Sequence, residues 1–438
     1  MMNILFPAQE LPVSAEVDVV VAGGSCTGVF AAITAARGGA AVAIVESQNR
    51  FGGTATAGQV CLWHSLLNFD YSRQIIFGLT PEILERMDKR DLVEYWKKPN
   101  PHWYANFNSE EMCCELDEMV LEAGIIPFLH TRVAGVWQND NGKIGGLVIA
   151  GKDGLTVIKA RYIIDATGDG DVVRFAGGKM WKNEEIQTST ACVKFSKFPR
   201  EVMHDETIGK LVRAAKEKYR MPCGVIWGEF SCNSDTFMLA GTNIPKLDVS
   251  VQKELTEAEM ESRRQMRAIA DILKDAGYPR PVMEAVPSLI GVRESRHIVS
   301  LYRITEDELL SGKQFPDEAG KGTYRSDVHR RNPPGTRFRY LDGTEVLLTS
   351  DAPPQTSYWR DPSLPTPEYF TWPIRSQIPV GFDNLITAGR MIDADAGAFG
   401  ALRVMVNMNQ SGEAAARLVL RAMKTGTTLP SAAASENL

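Results

Sequence analysis

The chain has 438 residues and a mass of 48.3 kDa. Because an ordinary domain has roughly 100–200 residues, we predict two or three domains with a large buried core. The composition is globular, with 44% hydrophobic and 23% charged residues and a mean hydropathy of −0.17, and no apolar run is long enough to span a membrane. Lysine and arginine (48) against aspartate and glutamate (54) leave a net charge of −6, so we predict neither a nucleic-acid nor a membrane partner.

The amino-terminal residues and the cysteines indicate the compartment. Residues 1–14 carry no lysine or arginine, and Pro7 and Pro12 interrupt them, so they lack the pattern of a secretory signal. Seven cysteines, an odd number without a CxxC motif, are typical of free thiols and not of disulfides or a metal centre. We therefore predict a cytoplasmic protein with no metal site.

Residues 17–46 have the pattern of a βαβ unit. The apolar runs VDVVVA and AVAIVE are typical of parallel strands that are buried on both faces. Between them Val29, Ile33 and Ala36 recur at helical spacing and mark one apolar face.

The turn between this first strand and its helix reads Gly23, Gly24, Ser25, Cys26, Thr27, Gly28. Two glycines of a G-x-G-x-x-G motif are present, and the small Ser25 takes the place of the other. Such a turn lets backbone N–H groups approach a pyrophosphate at the helix N-terminus. Eighteen residues after Gly28, Glu46 ends the second strand, where a carboxylate can bind a ribose diol. The set predicts a dinucleotide site; the alternative is a tight turn in an α/β domain that binds no nucleotide.

The remaining elements follow in chain order. A helix is predicted over Asn108–Gly124 from its cap and apolar stripe. The short runs IIPFLH, TRVAGVWQ, GKIGGLVIA and GLTVIKA then indicate an antiparallel meander inserted into the parallel fold, and ARYIIDATGDGD returns to a buried strand. A long charged helix is predicted over Glu254–Ala276, among mixed patterns and proline-rich loops.

These patterns divide the chain. We predict a cofactor domain formed by residues 1–178 and 372–424, with a closing helix over 410–423. Residues 179–371 form a mixed α+β substrate or capping domain. Residues 425–438 are small and polar, and we predict a disordered tail.

Five segments resemble the FAD-dependent oxidoreductases of the glutathione-reductase-like flavoprotein class, with a more distant similarity to the fumarate reductase and aspartate oxidase flavoproteins. They are VVVAGGSCTGVFAAITAARGGAAVAIVE, the Gly52-Gly53-Thr54 turn, IIDATGDGD, IGVRESRHI, and DNLITAGRMIDADAGAFGALRVM with QSGEAAA. The resemblance implies an α/β fold: a Rossmann-type FAD-binding domain with a parallel sheet and the inserted meander. It also implies FAD as the cofactor. No second glycine-rich βαβ turn is found, so one dinucleotide is expected.

The resemblance and the glycine turn together assign the contacts of FAD. These residues are Gly23, Gly24, Ser25, Thr27, Gly28, Glu46, Gly53, Thr54, Val133, Ala166, Thr167, Gly168, Asp169, Gly389, Arg390, Gly400 and Ala401. Family geometry further implies that the closing helix begins near Gly400 and that its N-terminus faces the flavin. Fumarate reductase flavoproteins place a histidine just before the second pair of glycines, whereas Phe51 stands there in this chain, so we predict noncovalent FAD.

Candidates for the chemistry are arginines, which suit a carboxylate, and histidines, which can carry a proton at neutral pH. They are His297, Arg293, Arg403, His329 and His64. Arg293 can equally form an ion pair between domains with Glu294. For Arg403 the resemblance implies a grip on a substrate carboxylate, but no His-Gly pair precedes it, so substrate identity does not transfer.

Each histidine has a structural alternative. His297 can be a satisfied core histidine, and His329 lies in a loop-like stretch where solvation is the default. His64 can form a core aromatic pair with its neighbour Trp63.

Taken together, the sequence predicts an FAD-dependent oxidoreductase that transfers hydride between the flavin and a small anionic or hydroxylated substrate. Two alternatives are a non-redox isomerase or hydratase that uses the flavin electrostatically, and an RNA-modifying flavoprotein, which the acidic balance opposes. The electron partner is left open, as is assembly into a homo-oligomer.

Overall fold

The computed structural model describes residues 9–95, 104–139, 143–222, 226–245, 247–331, 334–349 and 353–434. Within these ranges, no helix combines the length and the apolar character that crossing a bilayer requires.

The strands are listed in chain order: β1 (Val13–Ala22), β2 (Val42–Val45), β3 (Leu62–His64), β4 (Val93–Tyr95), β5 (Tyr104–Phe107), β6 (Ile126–Phe128), β7 (Arg132–Gln138), β8 (Ile144–Gly151), β9 (Gly154–Asp165), β10 (Met180–Trp181), β11 (Cys192–Ser196), β12 (Trp227–Phe230), β13 (Phe237–Ala240), β14 (Val282–Ala285), β15 (His297–Ile298), β16 (Glu318–Gly322), β17 (Ser326–Arg331), β18 (Pro334–Arg339), β19 (Thr344–Thr349), β20 (Gln355–Tyr358), β21 (Phe370–Pro373) and β22 (Leu385–Thr387).

The helices are α1 (Cys26–Arg37), α2 (Leu79–Asp88), α3 (Ser109–Glu122), α4 (Asp171–Phe175), α5 (Thr207–Ala214), α6 (Lys216–Tyr219), α7 (Gln252–Asp275), α8 (Glu306–Leu310), α9 (Ala396–Leu402), α10 (Met405–Thr425) and α11 (Leu429–Ala434). Short 3-10 turns occupy Gly53–Ala55, Arg200–Glu206 and Ile374–Gln377.

The central sheet has the strand order β6–β2–β1–β9–β8–β7, and β22 adds to β9. β1, β2, β6, β9 and β22 are parallel. Alternate residues of β1 pack into two separate cores, since Val19 and Val21 belong to one and Val20 and Ala22 to the other. Burial on both faces explains the continuous apolar run, and the βαβ unit read from the sequence is confirmed.

The antiparallel meander consists of β7, β8 and β9. The prediction that the run IIPFLH belongs to it was wrong, because β6 pairs in parallel with β2. The helix α3 lies between these two strands in the chain, and a crossover of this kind produces parallel pairing. β9 is one continuous strand: its first part pairs with β8, and its last residues, Ile163–Asp165, pair with β22.

Two helices of the cofactor domain cross at small residues. A Cβ added to Gly412 on α10 would lie 2.1 Å from the carbonyl oxygen of Thr27 on α1. The neighbouring Ser411 hydroxyl accepts a hydrogen bond of 3.0 Å from the Gly389 N–H. The close crossing therefore brings the carboxy-terminal segment to the start of α1.

Most of the remaining sheets lie within the predicted second domain, 179–371. The antiparallel sheet β12–β13–β11–β14 packs with α5 and α7 around a separate core that includes Phe195, Phe237 and Ile269. A second antiparallel sheet, β17–β18–β19–β20, meets α9. There a Cβ on Gly400 would lie 2.9 Å from the backbone nitrogen of Asp327, so only glycine allows this approach.

The end of the chain differs from the prediction of a disordered tail. Residues Leu429–Ala434 form α11, in which Leu429, Ala432 and Ala433 are buried. The Leu429 N–H also donates to the Asp383 carbonyl oxygen at 2.9 Å. Small apolar side chains such as alanine can pack without a strong hydrophobic pattern. The composition of this segment therefore gave the wrong prediction of disorder. Residues 435–438 lie outside the described residues.

The described cysteines have free thiols, namely Cys26, Cys61, Cys113, Cys114, Cys192 and Cys232. For these six the prediction is confirmed, whereas Cys223 lies outside the described residues. Burial raises the pKa of Cys26, in the glycine turn, to about 12. This thiol therefore stays protonated and packs.

Candidate functional site

The turn after β1 requires glycine at two positions, Gly23 and Gly28. Gly23 has φ +102°, and a Cβ on it would lie 2.3 Å from the Ala166 carbonyl oxygen. A Cβ on Gly28 would lie 1.9 Å from the Gly23 carbonyl oxygen. The turn therefore packs backbone to backbone against the segment that follows β9.

The N-terminus of α1 is open to an anion. Its N-cap, Ser25, makes no side-chain capping hydrogen bond, and the first turn holds no acidic residue. The second glycine turn closes over it: the Gly52 N–H donates to the Gly24 carbonyl oxygen at 2.8 Å, and a Cβ on Gly53 would lie 2.8 Å from the Ser25 Cβ. Thr54 follows, half-buried, within the 3-10 turn. Uncapped N–H groups and glycine backbone form a cradle that fits a pyrophosphate.

Glu46 is buried at the end of β2 and organises this turn. Its Oε2 accepts from the Gly24 N–H and its Oε1 from the Gln48 N–H, both at 2.7 Å. The Thr131 N–H donates to the Glu46 carbonyl oxygen at 2.9 Å, and Val133 lies half-buried two residues further, on β7. The carboxylate thus lies where a ribose would meet the glycine turn.

We expect Glu46→Gln to weaken the binding of FAD by about tenfold, because an amide offers one acceptor oxygen to two buried backbone donors and cannot act as a charged acceptor. The measurement is a fluorescence titration of the deflavinated protein with FAD. Glu16→Gln, an exposed position on β1, is the control. Equal affinity of the two variants would contradict the assignment.

Arg390 ties the distant segments together. Its Nη1 donates to the Gly168 carbonyl oxygen at 2.5 Å, to Asp169 Oδ1 at 2.8 Å and to the Ser295 hydroxyl at 2.9 Å. Gly389, with φ +110°, lies near Thr27 of α1. Thr167 donates to Asp165 Oδ1 through its hydroxyl at 2.7 Å. The predicted FAD contacts after β9 and after β22 therefore converge on the glycine turn.

Gly400 and Ala401 occupy a different position from the expected one. They lie in the last turn of α9, which begins at Ala396, and the closing helix α10 begins at Met405. The expectation of a helix N-terminus near Gly400 was therefore wrong. Gly400 seats α9 on β17, and this contact delivers the next polar residue, Arg403, to the cluster described below.

A cluster of polar side chains is built around Asp327 on β17. Arg403 Nη2 and the Tyr324 hydroxyl donate to Asp327 Oδ2 at 3.1 and 3.2 Å. His329 Nε2 lies 3.3 Å from Asp327 Oδ1, and its Nδ1 lies 3.3 Å from the Thr336 hydroxyl. Within the described residues, Asp327 Oδ1 and Arg403 Nε are buried without a hydrogen-bond partner. Each of these two buried atoms lacks a hydrogen bond that a bound ligand could supply.

The charges of this cluster are predominantly positive. Burial raises the pKa of Asp327, but the charges of Arg403 and Arg293 outweigh it and lower that pKa to about 2. Burial and the charge of Arg293 lower the pKa of His329 to about 3. Burial and Asp327 raise the pKa of Tyr324 to about 12. At neutral pH the cluster holds an ionised aspartate, a neutral histidine and a neutral tyrosine among arginines.

The low pKa of His329 makes stability depend on pH. Its folded pKa of about 3 lies below the ordinary value of 6.5, so the unfolded chain binds the extra proton and stability falls as the pH drops below 6.5. We expect His329→Gln to remove about 2 kcal/mol of the loss in unfolding free energy between pH 6.5 and about 4.5. Urea unfolding at the two pH values measures it. This pH range lies above the pKa of Asp327, so Asp327 does not titrate within it. If the His329→Gln variant lost stability with falling pH as much as the unmodified protein does, His329 would not be neutral in the folded state.

His64 joins this cluster. Its ring stacks on Tyr324 with a centroid distance of 4.7 Å and an interplanar angle of 22°. The alternative of a core pair with Trp63 is wrong, because Trp63 packs instead against Phe30 and Phe107. Successive residues of a strand point to opposite faces, and on β3 this sends His64 toward the cluster.

His297 lies apart from the cluster, with no solvent exposure. Its Nδ1 lies 2.9 Å from the Ile392 carbonyl oxygen and its Nε2 3.1 Å from Glu294 Oε1. Its ring stacks on Trp181 at 4.5 Å. With both nitrogens engaged and no exposed surface, the geometry favours the structural alternative for His297 over proton transfer.

Arg293 does not pair with Glu294, because Glu294 bonds to His297 and to the Gln187 N–H. Arg293 Nη1 donates instead to the Thr188 carbonyl oxygen at 2.7 Å and to the Thr190 hydroxyl at 2.5 Å. Burial and the charge of Arg403 lower the pKa of Arg293 to about 10. Arg293 therefore acts on the cluster through its charge.

The sequence marks the run YRSDVH, with Tyr324 and Asp327, as one expected near the flavin, but it gives neither residue a role and does not show that Asp327 is the centre of the cluster. A signal was present, since Asp327 and His329 are two residues apart on a strand and therefore share a face. Nothing in the sequence, however, shows that Arg403 meets them from 76 residues away.

The comparisons with known proteins cover different shares of the chain. Thiamine thiazole synthases of Pyrococcus abyssi and Pyrococcus horikoshii are 28% and 30% identical to it over 164 and 166 residues. Each match covers 35% of this chain and 58% of the relative, so the chain spans little more than half the length of these curated relatives. A geranylgeranyl bacteriochlorophyll reductase-like structure from Thermoplasma acidophilum is 14% identical, with a TM-score of 0.48, and the match covers 96% of this chain and 81% of that one.

The family model for FAD-dependent oxidoreductases matches residues 18–435. The matched range contains the glycine turn, Glu46, the Arg390 junction and the Asp327 cluster. The chain therefore belongs to the FAD-dependent oxidoreductase family.

Proposed function

We propose that this enzyme transfers hydride between noncovalently held FAD and a small organic substrate that is anionic or hydroxylated. The observation that carries the proposal is the buried cluster at Asp327, where a carboxylate, a neutral histidine and two arginines lie together. Its buried atoms Asp327 Oδ1 and Arg403 Nε make no hydrogen bond within the described residues, so a ligand that entered the cluster could bond to them. A predominantly positive cluster favours a negatively charged or strongly polar ligand.

The chain's own residues account for holding the cofactor. The open N-terminus of α1 at Ser25 would take the pyrophosphate, and Glu46 would meet the ribose. Phe51 precedes the second glycine turn, where a covalently attaching histidine would stand. We also propose that this domain is of the glutathione-reductase-like class, distantly similar to the fumarate reductase flavoproteins, on the strength of the motifs that converge at Arg390.

FAD, when bound, supplies a two-electron acceptor or donor for hydride. The protein must bind the substrate, orient it and move a proton. His329 is a weak base in the protein without substrate, because burial and the charges of Arg293 and Arg403 disfavour imidazolium more than Asp327 favours it. A bound anion would offset those charges and raise the pKa of His329 toward its ordinary range, so the base becomes effective when substrate is present. Asp327 contacts His329 directly, and Tyr324 orients Asp327 by donating a hydrogen bond to it.

The test is anaerobic mixing of the purified holoenzyme with small 2-hydroxy and 2-amino acids. Bleaching of the flavin absorbance by one of them supports hydride transfer. Turnover without bleaching would instead support the isomerase or hydratase alternative. Protein that purifies without flavin and takes up none would overturn the assignment of the cofactor residues.

A further inference from the structure

A cavity is lined in part by His329 of the Asp327 cluster. It has a volume of about 580 Å³ and is lined by residues from four segments of the chain, namely Asn183, Glu184, Glu185, Val328, His329, Arg337 and Ala396. This volume suits a small organic molecule. Because His329 belongs to both the cluster and this cavity, a ligand in the cavity contacts the proposed proton carrier directly.

Arg337 is the arginine of this cavity, and part of its guanidinium is uncommitted. Its Nη2 donates to Glu306 Oε1 at 2.8 Å, and within the described residues its buried Nε has no hydrogen-bond partner. Glu306 is itself buried and also accepts from Arg339 at 2.6 Å. The ion pair therefore fixes the guanidinium in place, while the Arg337 side chain remains 23% exposed and lines the cavity.

The arginines named from the sequence are committed elsewhere. Arg403 donates to Asp327, and Arg293 donates to Thr188 and Thr190. Of these three arginines, Arg337 is the one that lines the cavity. It is thus the best-placed partner for a ligand carboxylate.

The cavity also has negatively charged residues, which lie at its exposed rim. Glu184 and Glu185 are exposed and line the same cavity, so two carboxylates face one guanidinium. Burial and nearby arginines keep His329 neutral. A ligand with two negative charges would meet repulsion at the rim, whereas a ligand with a carboxylate and an ammonium group would match both ends.

We propose that this cavity binds a small zwitterion of the amino-acid class, with its carboxylate on Arg337 and its ammonium group toward Glu184. The carbon between the two groups then lies next to His329. The inference rests on the proposed function, because it names the substrate class of the same site.

The experiment is isothermal titration of the holoenzyme under anaerobic conditions with three matched probes. L-leucine carries both charged groups, isocaproate lacks the ammonium group, and isoamylamine lacks the carboxylate. We expect L-leucine to bind at least about tenfold more tightly than either of the others. Isocaproate binding as tightly as L-leucine, or no binding by any probe, would overturn the proposal.

Two variants test whether Arg337 binds the carboxylate end of the ligand. Arg337→Gln is expected to weaken L-leucine and isocaproate binding by about tenfold or more while leaving isoamylamine unchanged. Arg339→Gln is the matched control, since Arg339 shares the partner Glu306 but not the cavity. An equal effect of both variants would assign the loss to Glu306 and overturn the site.

Glu184→Gln provides a variant that folding does not confound, because Glu184 is exposed. It is expected to weaken L-leucine binding and to leave isocaproate binding unchanged or tighter. Unchanged L-leucine affinity overturns the proposal even where Arg337→Gln does not fold. Flavin bleaching by a substrate that does not bind in this way would refute the inference and leave the proposed function standing.

Discussion

Replacing Gly28 with alanine is expected to abolish FAD binding and to destabilise the fold by about 3 kcal/mol. The added Cβ would lie 1.9 Å from the Gly23 carbonyl oxygen, which is backbone and cannot rotate away. The turn would have to open at the point where it meets Ala166 and the start of α1. Flavin absorbance per protein and the thermal midpoint Tm measure the two effects.

Gly135→Ala on β7 is the matched control for this prediction. Its added Cβ would lie 3.9 Å from the Val148 side chain, which is ordinary contact. This variant is expected to keep its flavin and its Tm. A Gly28→Ala protein that purifies with a full complement of FAD and an unchanged Tm would refute the proposed packing of the turn.

Replacing Arg403 with methionine is expected to cost about 3–5 kcal/mol of unfolding free energy and to eliminate turnover. Arg403 and Asp327 are each only 11% exposed and lie 3.1 Å apart, so the variant leaves a carboxylate buried without its nearest opposite charge. The pKa of Asp327, held at about 2 by Arg403 and its neighbours against the effect of burial, would rise. Urea unfolding and steady-state rates are the measurements.

Two further proteins separate the ion pair from simple loss of packing. The double variant Arg403→Met with Asp327→Asn is expected to recover part of the stability, because the buried carboxylate that lost its nearest opposite charge is then also removed. Arg37→Met breaks the ion pair with Glu82 on the surface, where side chains are 47% and 35% exposed, and is expected to cost less than about 1 kcal/mol. Similar losses for Arg403→Met and Arg37→Met would show that the Asp327 cluster is solvated.

The sequence predicted the βαβ unit and its glycine turn better than it predicted the Asp327 cluster, and particular residues show why. The turn from Gly23 to Gly28, the helix behind it and Glu46 are specified by spacing within about 30 residues of chain, as expected for a βαβ unit. By contrast, His297 and His329 are both histidines in polar stretches, yet one is buried against Trp181 and the other lines a cavity. No local pattern distinguishes them.

By itself, then, the sequence determined the βαβ unit, the FAD-type turn and the long helix near 254–276, because periodicity and glycine spacing act over short distances. Only the tertiary structure decided that β6 joins the parallel strands, that the end of the chain packs as α11, and that Arg337, not Arg403, reaches the cavity. Each of those outcomes depends on which distant segment a residue meets. Burial, which lowers the pKa of His329, depends on the same long-range packing. Contacts between residues that are far apart in the chain determine these outcomes, and no short window of sequence contains both residues of such a contact.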